Sequence, residues 1–371
     1  MFKKEKKVEI IKKLSDAFGP SGMENDVCKI GEEETRDYYD VYVDNLKNQF
    51  FEKKLTEEDI KHMHHHHHGE DNHSGAGPVI WLDAHSDEVG FMVQAVKPNG
   101  TMEFLLLGGM NESQLPGTKV VLKNKDGEYV YGVISSKPPH FMSEEERKQP
   151  MTVSNLVIDI GAVDKQDAEE NYRVGIGTFA APSVECTFDE KNNVFIGKAF
   201  DCRMGCAALI ETLNAVKDKD YLIRATMTSQ EEVGGRGAKG AKDVIDADYA
   251  ILFEGCPADD TFLPEYKIQN GLRKGPSLRH LDKTMITNPE FMQFVLDVAK
   301  ENNIPVQETV RQGGGTNGMH IHMARTGIPT IVIGIPVRYI HSSYGIATLE
   351  DYENAVKLGV ALIEALNQEE M

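Results

Sequence analysis

Long apolar runs are missing from this chain. Nowhere in its 371 residues do about 18 apolar residues follow one another, so no helix that crosses a bilayer is expected. Basic residues are also scarce. Lys and Arg number 40 against 59 Asp and Glu, a formal net charge of −19. Such an excess repels nucleic acid and anionic membranes, which need a basic surface. It suits a site that gathers carboxylates around cations, although solubility alone is the simpler account of the charge. Cysteine is sparse too: Cys28, Cys186, Cys202, Cys206 and Cys256, an odd number with no CxxC pair. That usage fits reduced thiols better than a disulfide framework. Residues 1–13 alternate lysines with apolar residues and lack the apolar run and cleavage site of a secretory signal. Both features lead to the expectation of a cytoplasmic protein.

What is present is an ample hydrophobic fraction, 40%, and a length that allows about two domains. Val8, Ile11 and Leu14 recur one turn apart and predict a helix over 5–17. The stretch Phe18-Gly19-Pro20-Ser21-Gly22 reads as a breaker, followed by a helix over 24–38 and a strand over 40–51. Residues 52–76 interrupt the pattern with charge and histidine. Within them His64 to His68, with His62 and His73 nearby, could chelate a transition metal. A solvated loop is the plainer reading, since adjacent histidines make no tetrahedral site without a scaffold. Pro78 to Asp83 reads as a buried strand.

Residues 92–188 have another texture: Gly, Pro and Lys punctuate short β-rich runs such as TKVVLKN, EYVYGVISS and SNLVIDIG. This predicts a small all-β module set into a larger unit, leaving 1–91 and 189–371 as one discontinuous domain. After residue 194 strands and helices alternate. Helices are expected over 203–217, 236–246, 288–302, 315–326 and 349–367, and strands over 221–229, 249–254, 305–310 and 329–335. Such alternation predicts an α/β domain with a mostly parallel sheet, whose ligands bind beyond the carboxyl ends of the strands.

Several of those strand ends carry acids or histidines. His85 and Asp87 stand two apart after the apolar run Ile80-Trp81-Leu82. Imidazole is a good zinc ligand, and a nearby carboxylate can orient it; a hydrogen-bonded strand-end histidine is the plainer alternative. Asp201 precedes a helix, where an N-cap is the ordinary role and a carboxylate shared by two metals the sharper one. Glu231 and Glu232 end the run before Val233-Gly234-Gly235. Neighbouring strand side chains point oppositely, so one glutamate can bind metal while the other faces a water. Glu254 closes another apolar strand, and His341 follows Thr330-Ile331-Val332-Ile333-Gly334. Each alone is weak; together, closing separate strands of one α/β domain, they point to a common edge. Cys202 and Cys206 have helical spacing and read as spectator thiols, although thiolate suits soft metals. Gly313-Gly314-Gly315-Thr316-Asn317 lacks the Lys-Ser/Thr ending of a phosphate loop.

Together DAHSDEVGFMV, GKAFDCRMG, TSQEEVGGRGA, GGGTN and GIPVRYIHS resemble, in order and separation, the M42 family of glutamyl-type and deblocking aminopeptidases. The resemblance covers nearly the whole chain. It implies a phosphopeptidase-like α/β catalytic domain interrupted by a small β-barrel dimerisation domain (92–188), peptide substrates, and self-association through that barrel into a tetrahedral dodecamer. It also implies two divalent metal ions per subunit, zinc first, with cobalt or manganese as alternatives. His85 and Glu254 would bind one metal and Glu232 and His341 the other, with Asp201 bridging. Asp87 would orient His85, and Glu231 would be the catalytic base and acid.

The chain departs from the family at Glu254, where Asp is usual, and at Cys202 and Asn317, where a second Asp and an Asp are common. Ser343-Tyr344-Gly345 lacks a frequent glutamate, and the histidine-rich insert is unusual. Three other readings compete. A glycoside hydrolase would need two carboxylates facing each other across about 5–10 Å. A deacylase or carboxypeptidase of the same fold would need a cationic pocket, for which Arg236 and Arg338 are candidates. A scaffold without chemistry would have lost the site residues.

Overall fold

The computed structural model describes residues 1–54 and 77–368; the histidine run at 64–68, with His62 and His73, lies outside them. Helix α1 (Lys4–Asp16) buries Ile10, Ile11 and Leu14, and α2 (Asn25–Thr35) buries Val27 and Cys28. The single strand expected over 40–51 is two, β1 (Tyr39–Val43) and β2 (Gln49–Lys53), paired antiparallel. The reason is local: Asp44 Oδ1 accepts from the amides of Leu46 (2.8 Å) and Asn48 (2.9 Å). An aspartate bonded to backbone two residues on makes a turn. Strand β3 (Ile80–His85) is buried throughout.

Next come β4 (Gly90–Val96), β5 (Met102–Leu107), β6 (Lys119–Lys123), β7 (Tyr129–Ser136), the short α3 (Glu144–Lys148), β8 (Leu156–Asp159) and β9 (Phe179–Pro182). These six strands close a barrel in the order β4-β5-β8-β7-β6-β9. Alternate residues fill it, Phe91, Val93, Phe104, Val120, Leu122 and Ile158 among them, as period-two strands require.

The chain then runs through β10 (Thr187–Asp189), β11 (Val194–Gly197), α4 (Phe200–Val216), β12 (Ile223–Thr228), α5 (Arg236–Ala241) and β13 (Tyr249–Pro257). It ends with β14 (Ser277–Leu281), α6 (Pro289–Glu301), β15 (Gln307–Val310), α7 (Gly318–Ile321), β16 (Thr330–Val337), β17 (Gly345–Thr348) and α8 (Leu349–Leu366). Eight strands form one sheet in the order β1-β2-β12-β3-β13-β16-β14-β15. Its central four, β12-β3-β13-β16, run parallel. Strands β10-β11-β17 make a small antiparallel sheet.

Helix α4 is apolar nearly all round and therefore buried; with α1 and α8 it covers one face of the large sheet, over Leu82, Ile251, Phe253 and Ile333. The other face, with Trp81, Leu252 and Val332, packs on Ala238, Ala241 and Ile321 of α5 and α7. Strands buried on both faces read as continuous apolar runs, which is why β3, β13 and β16 were legible. Strand β14 has no such run and was not expected. The helix anticipated over 315–326 shrinks to α7, because Gly313, Gly314 and Gly315 precede it and Gly327 (φ +104) follows. Among the described residues no helix is long and apolar enough to cross a membrane.

Candidate metal centre

The parallel strands deliver their carboxyl ends to one edge. His85 is the last residue of β3 and is 1% exposed. On the neighbouring strand Glu254 is buried inside β13, which continues to Pro257, so the acid does not close the strand as its sequence suggested. Glu231 and Glu232 are likewise not on a strand: β12 ends at Thr228, and the two lie in the turn that leads to α5. Asp201 sits where the chain kinks into α4, with φ −84 and ψ 106. The helical run is broken at Asp201 and Cys202, and no N-cap bond to the Asp201 carboxylate is present among the described residues. Its carboxylate turns to the histidines instead.

Asp201 Oδ1 lies 2.9 Å from His85 Nε2, and Asp201 Oδ2 lies 3.0 Å from His341 Nε2. His85 Nε2 is also 3.2 Å from Glu254 Oε1, and His341 Nε2 is 3.3 Å from Glu232 Oε2. Two ligand sets therefore share one carboxylate: His85, Asp201 and Glu254 on one side, Asp201, Glu232 and His341 on the other. Two N/O ligands of one tetrahedral zinc stand roughly 3.4 Å apart, close to these spacings.

Asp87 backs the site. Its Oδ1 faces His85 Nδ1 at 3.3 Å and accepts from the Glu231 amide at 2.9 Å, and its Oδ2 accepts from the Glu232 amide at 3.1 Å and from Ser21 Oγ at 2.6 Å. Gly255 lets the β13 backbone approach Asp201: a Cβ there would stand 2.6 Å from the Asp201 Cα. From the barrel, Gly108 (φ +91) closes over the site, and a Cβ there would meet Glu232 at 3.1 Å.

The charge balance is lopsided. Asp87, Asp201, Glu231, Glu232 and Glu254 face only His85 and His341. Burial lifts Glu231, Glu232 and Glu254 above the usual carboxylate range, with His85 pulling each back. Burial also opposes the charge on Asp201, but hydrogen bonds with His341 and His85 prevail and hold it low. Burial works against a charge on His85, yet Glu254, Cys202 and the bonds to Asp201 and Asp87 carry its pKa up. Without cations, the cluster answers its excess of acid by holding protons. Glu232 Oε1 is buried without a hydrogen-bond partner, which native interiors rarely tolerate. Carboxylate and imidazole donors in this number fit a pair of divalent ions.

The thiols do otherwise. Cys202 Sγ falls within reach of the first ligand set but donates to the Phe253 carbonyl at 3.1 Å, and Cys206 Sγ donates to the His85 carbonyl at 3.0 Å. Burial pushes both thiols up, Cys206 to about 12. Of the candidate cations, Arg338 is engaged by Asp260 through two bonds, Nε to Oδ1 at 2.9 Å and Nη2 to Oδ2 at 2.7 Å. Arg236 donates to Gln230 Oε1 at 3.4 Å. Asn317 is buried and donates to Asp83 Oδ2 (2.8 Å) and Thr228 Oγ1 (2.6 Å).

A sequence profile described as M42 glutamyl aminopeptidase matches residues 69–358. The chain belongs to the M42 family. It is 32% identical to a glutamyl aminopeptidase of Lactococcus lactis over 298 residues, 79% of this chain and 82% of that one. It is 30% identical to a lysyl aminopeptidase of Pyrococcus furiosus over 366 residues, 96% and 97% of the two chains. A TET aminopeptidase from a marine-sediment thaumarchaeon superposes with a TM-score of 0.87 at 37% identity, covering 98% of each chain. The Pyrococcus horikoshii TET1 peptidase, described as assembling into a tetrahedron or a large octahedral shell, gives 0.81 at 28% identity over 96% and 99%. As an M42 member the protein is a peptide hydrolase with the phosphopeptidase-like fold.

Ser21, Glu24 and Gly108 were not singled out in the sequence. Ser21 lay inside what reads as a breaker, and Gly108-Gly109 after an apolar strand is an ordinary turn signal. Only their neighbours in space distinguish them.

Proposed function

We propose that this M42 peptidase is an aminopeptidase that removes N-terminal residues from peptides with two divalent metal ions per subunit. The observation that carries the reading is Asp201, which offers one oxygen to each of two histidine–carboxylate sets, at 2.9 and 3.0 Å. His85 and Glu254 would hold one ion, His341 and Glu232 the other, and Asp201 both. Zinc suits these donors, and cobalt or manganese accepts the same set. Such a pair, when bound, lowers the pKa of an adjacent water and polarises a scissile carbonyl.

The chain's own residues do the rest. Asp87 keeps the His85 ring oriented and holds the amides of Glu231 and Glu232. Glu231, a partly buried carboxyl that holds no metal in this assignment, takes the proton from the attacking water and passes it to the leaving amine nitrogen. The excess of carboxylates favours a protonated peptide amine in the cleft. A carboxypeptidase would instead need a free cation for the substrate's carboxylate; Arg338 spends its guanidinium on Asp260, while Arg236 is bonded only to the neutral Gln230 amide. The aminopeptidase names of the family profile and of the relatives support cleavage from the amino end.

The same reading takes 1–91 and 189–371 as the catalytic domain and 92–188 as the inserted barrel through which subunits associate. The tetrahedron named for the P. horikoshii relative, and a similar solved structure described as a dodecamer, support a tetrahedral dodecamer. Five unpaired cysteines support a cytoplasmic setting. The test is metal analysis joined to turnover of a panel of aminoacyl chromogenic substrates. Two equivalents of metal per chain and metal-dependent release are expected. A protein that binds no more than one equivalent, or cleaves only C-terminal residues, would refute the reading.

A further inference from the structure

We infer that Ser21 and Glu24, in the connection between α1 and α2, are positioning residues for this reaction, and that Asp26 ties them to the barrel. The inference rests on the aminopeptidase reading and deepens it.

The turn after β12 leaves the sheet, so its amides lose their strand partners and must find others. Two buried carboxylates supply them for three consecutive residues. Glu24 Oε1 accepts from the Gln230 amide at 3.2 Å, Asp87 Oδ1 from Glu231 at 2.9 Å, and Asp87 Oδ2 from Glu232 at 3.1 Å. Gln230 has φ +55, so the turn reverses sharply just ahead of the two working glutamates. Glu24 is itself fixed by the Gly22 amide at 2.7 Å and is fully buried. Ser21 Oγ donates to Asp87 Oδ2 at 2.6 Å and so sets the carboxylate that serves both His85 and Glu231. The connection therefore fixes where the Glu231 carboxyl sits without touching substrate or metal.

Its other flank grips the barrel. Asp26 accepts from Lys123 Nζ at 3.0 and 2.9 Å and from the Tyr129 hydroxyl. The Phe18 ring packs on Tyr129 with centroids 5.8 Å apart. Pro20 bridges to Glu88, next to Asp87. Strands β6 and β7 are thus joined to the turn through one short stretch of backbone. Displacement of a positioned group by about 1 Å costs rate far more than binding.

The experiment uses the full chain, metal-loaded, with wild-type turnover as control. Ser21→Ala and Glu24→Ala should each lower kcat about tenfold or more while KM stays within about twofold and both metals remain bound. Glu24→Gln, which keeps an acceptor for the Gln230 amide, should recover most of the loss. Asp26→Ala should lower kcat less, and its effect should shrink in the Ser21→Ala background, because both act through one connection. Should Glu24→Ala fail to fold, Ser21→Ala, the loss of one hydroxyl, decides alone. Unchanged kcat in the alanine variants, a loss of metal in place of kcat, or independent multiplication of the Asp26 and Ser21 effects would overturn the inference. Wild type without aminopeptidase turnover would overturn the proposed function, and this inference with it; active wild type with unaffected variants overturns this inference alone.

Discussion

Glu231 and Glu232 are adjacent in the chain and chemically alike, yet the proposed function gives them different work. Glu232 stands 3.3 Å from His341; Asp87 holds the amides of both, and in the proposed function the Glu231 carboxyl is the one that transfers the proton. Glu231→Gln should keep both metals and lose about 10²- to 10⁴-fold in kcat, read by metal analysis beside steady-state kinetics. Near-normal turnover would remove Glu231 from its role. Gly255 gives a second test at this scale. An alanine there would press its Cβ to within 2.6 Å of the Asp201 Cα and push the shared carboxylate off its position. Gly255→Ala should cost metal occupancy before it costs fold, measured as metal per chain beside the circular dichroism spectrum. Full occupancy in that variant would show that the kink at Asp201 can yield.

Among the elements, α4 and its first turn join the site to the core. Arg203 is fully buried and donates to the carbonyls of Ser86 (2.9 Å), Leu14 (2.6 Å) and Ala17 (3.0 Å) and to Glu88 (3.4 Å). It stitches the end of α1 to the segment that follows His85, with Lys198 as the second cation on Glu88. Arg203→Met takes a donor from four carbonyls, those of Ser86, Leu14, Ala17 and Gly19, of which Ala17 keeps Lys198 Nζ and Gly19 keeps the Glu88 amide, and leaves Glu88 with one cation; it should cost about 3–5 kcal/mol of stability. Denaturant unfolding gives the number, and a change below about 1 kcal/mol would mean that the carbonyls find other partners. The elements themselves were readable where burial on both faces makes a continuous apolar run, as in β3 and β16, or a turn-spaced stripe, as in α1. The β1–β2 hairpin was not, because a single aspartate, Asp44, reverses the chain between two stretches of similar composition.

For the molecule as a whole, the acid-rich centre makes stability depend on metal and pH together. Burial raises Glu231, Glu232 and Glu254 above their unfolded value of about 4.3. Their stabilising contribution is complete below that pH and is lost as pH rises through the folded values. Metal-stripped protein should therefore melt progressively lower as pH rises above about 4.3 and through the folded values, while metal-loaded protein, its carboxylates neutralised by cations, should not. Thermal melts with and without chelator across that range test this; parallel pH profiles would show that the cluster is not where the metal binds. Particle size by light scattering tests the assembly, since a dodecamer far exceeds one chain of 41.3 kDa.

The sequence by itself determined the class of chemistry and its raw materials: acids and histidines placed at or just beyond apolar strands, in an order that resembles one peptidase family. It did so because strand burial and ligand chemistry both leave local marks. It also marked a β-rich stretch where the closed barrel lies. What only the tertiary structure decided is who meets whom. Strands β12, β3, β13 and β16 lie side by side although far apart in the chain, and that order, with the kink that leads into α4, brings His85, Asp201 and His341 together. Local periodicity cannot encode a contact across 116 or 140 residues. Nor could it distinguish Ser21 from an ordinary breaker residue or Glu24 from an ordinary helix-start acid, since their meaning lies in the carboxylate of Asp87 and the amide of Gln230 that they face, and those come from other parts of the chain.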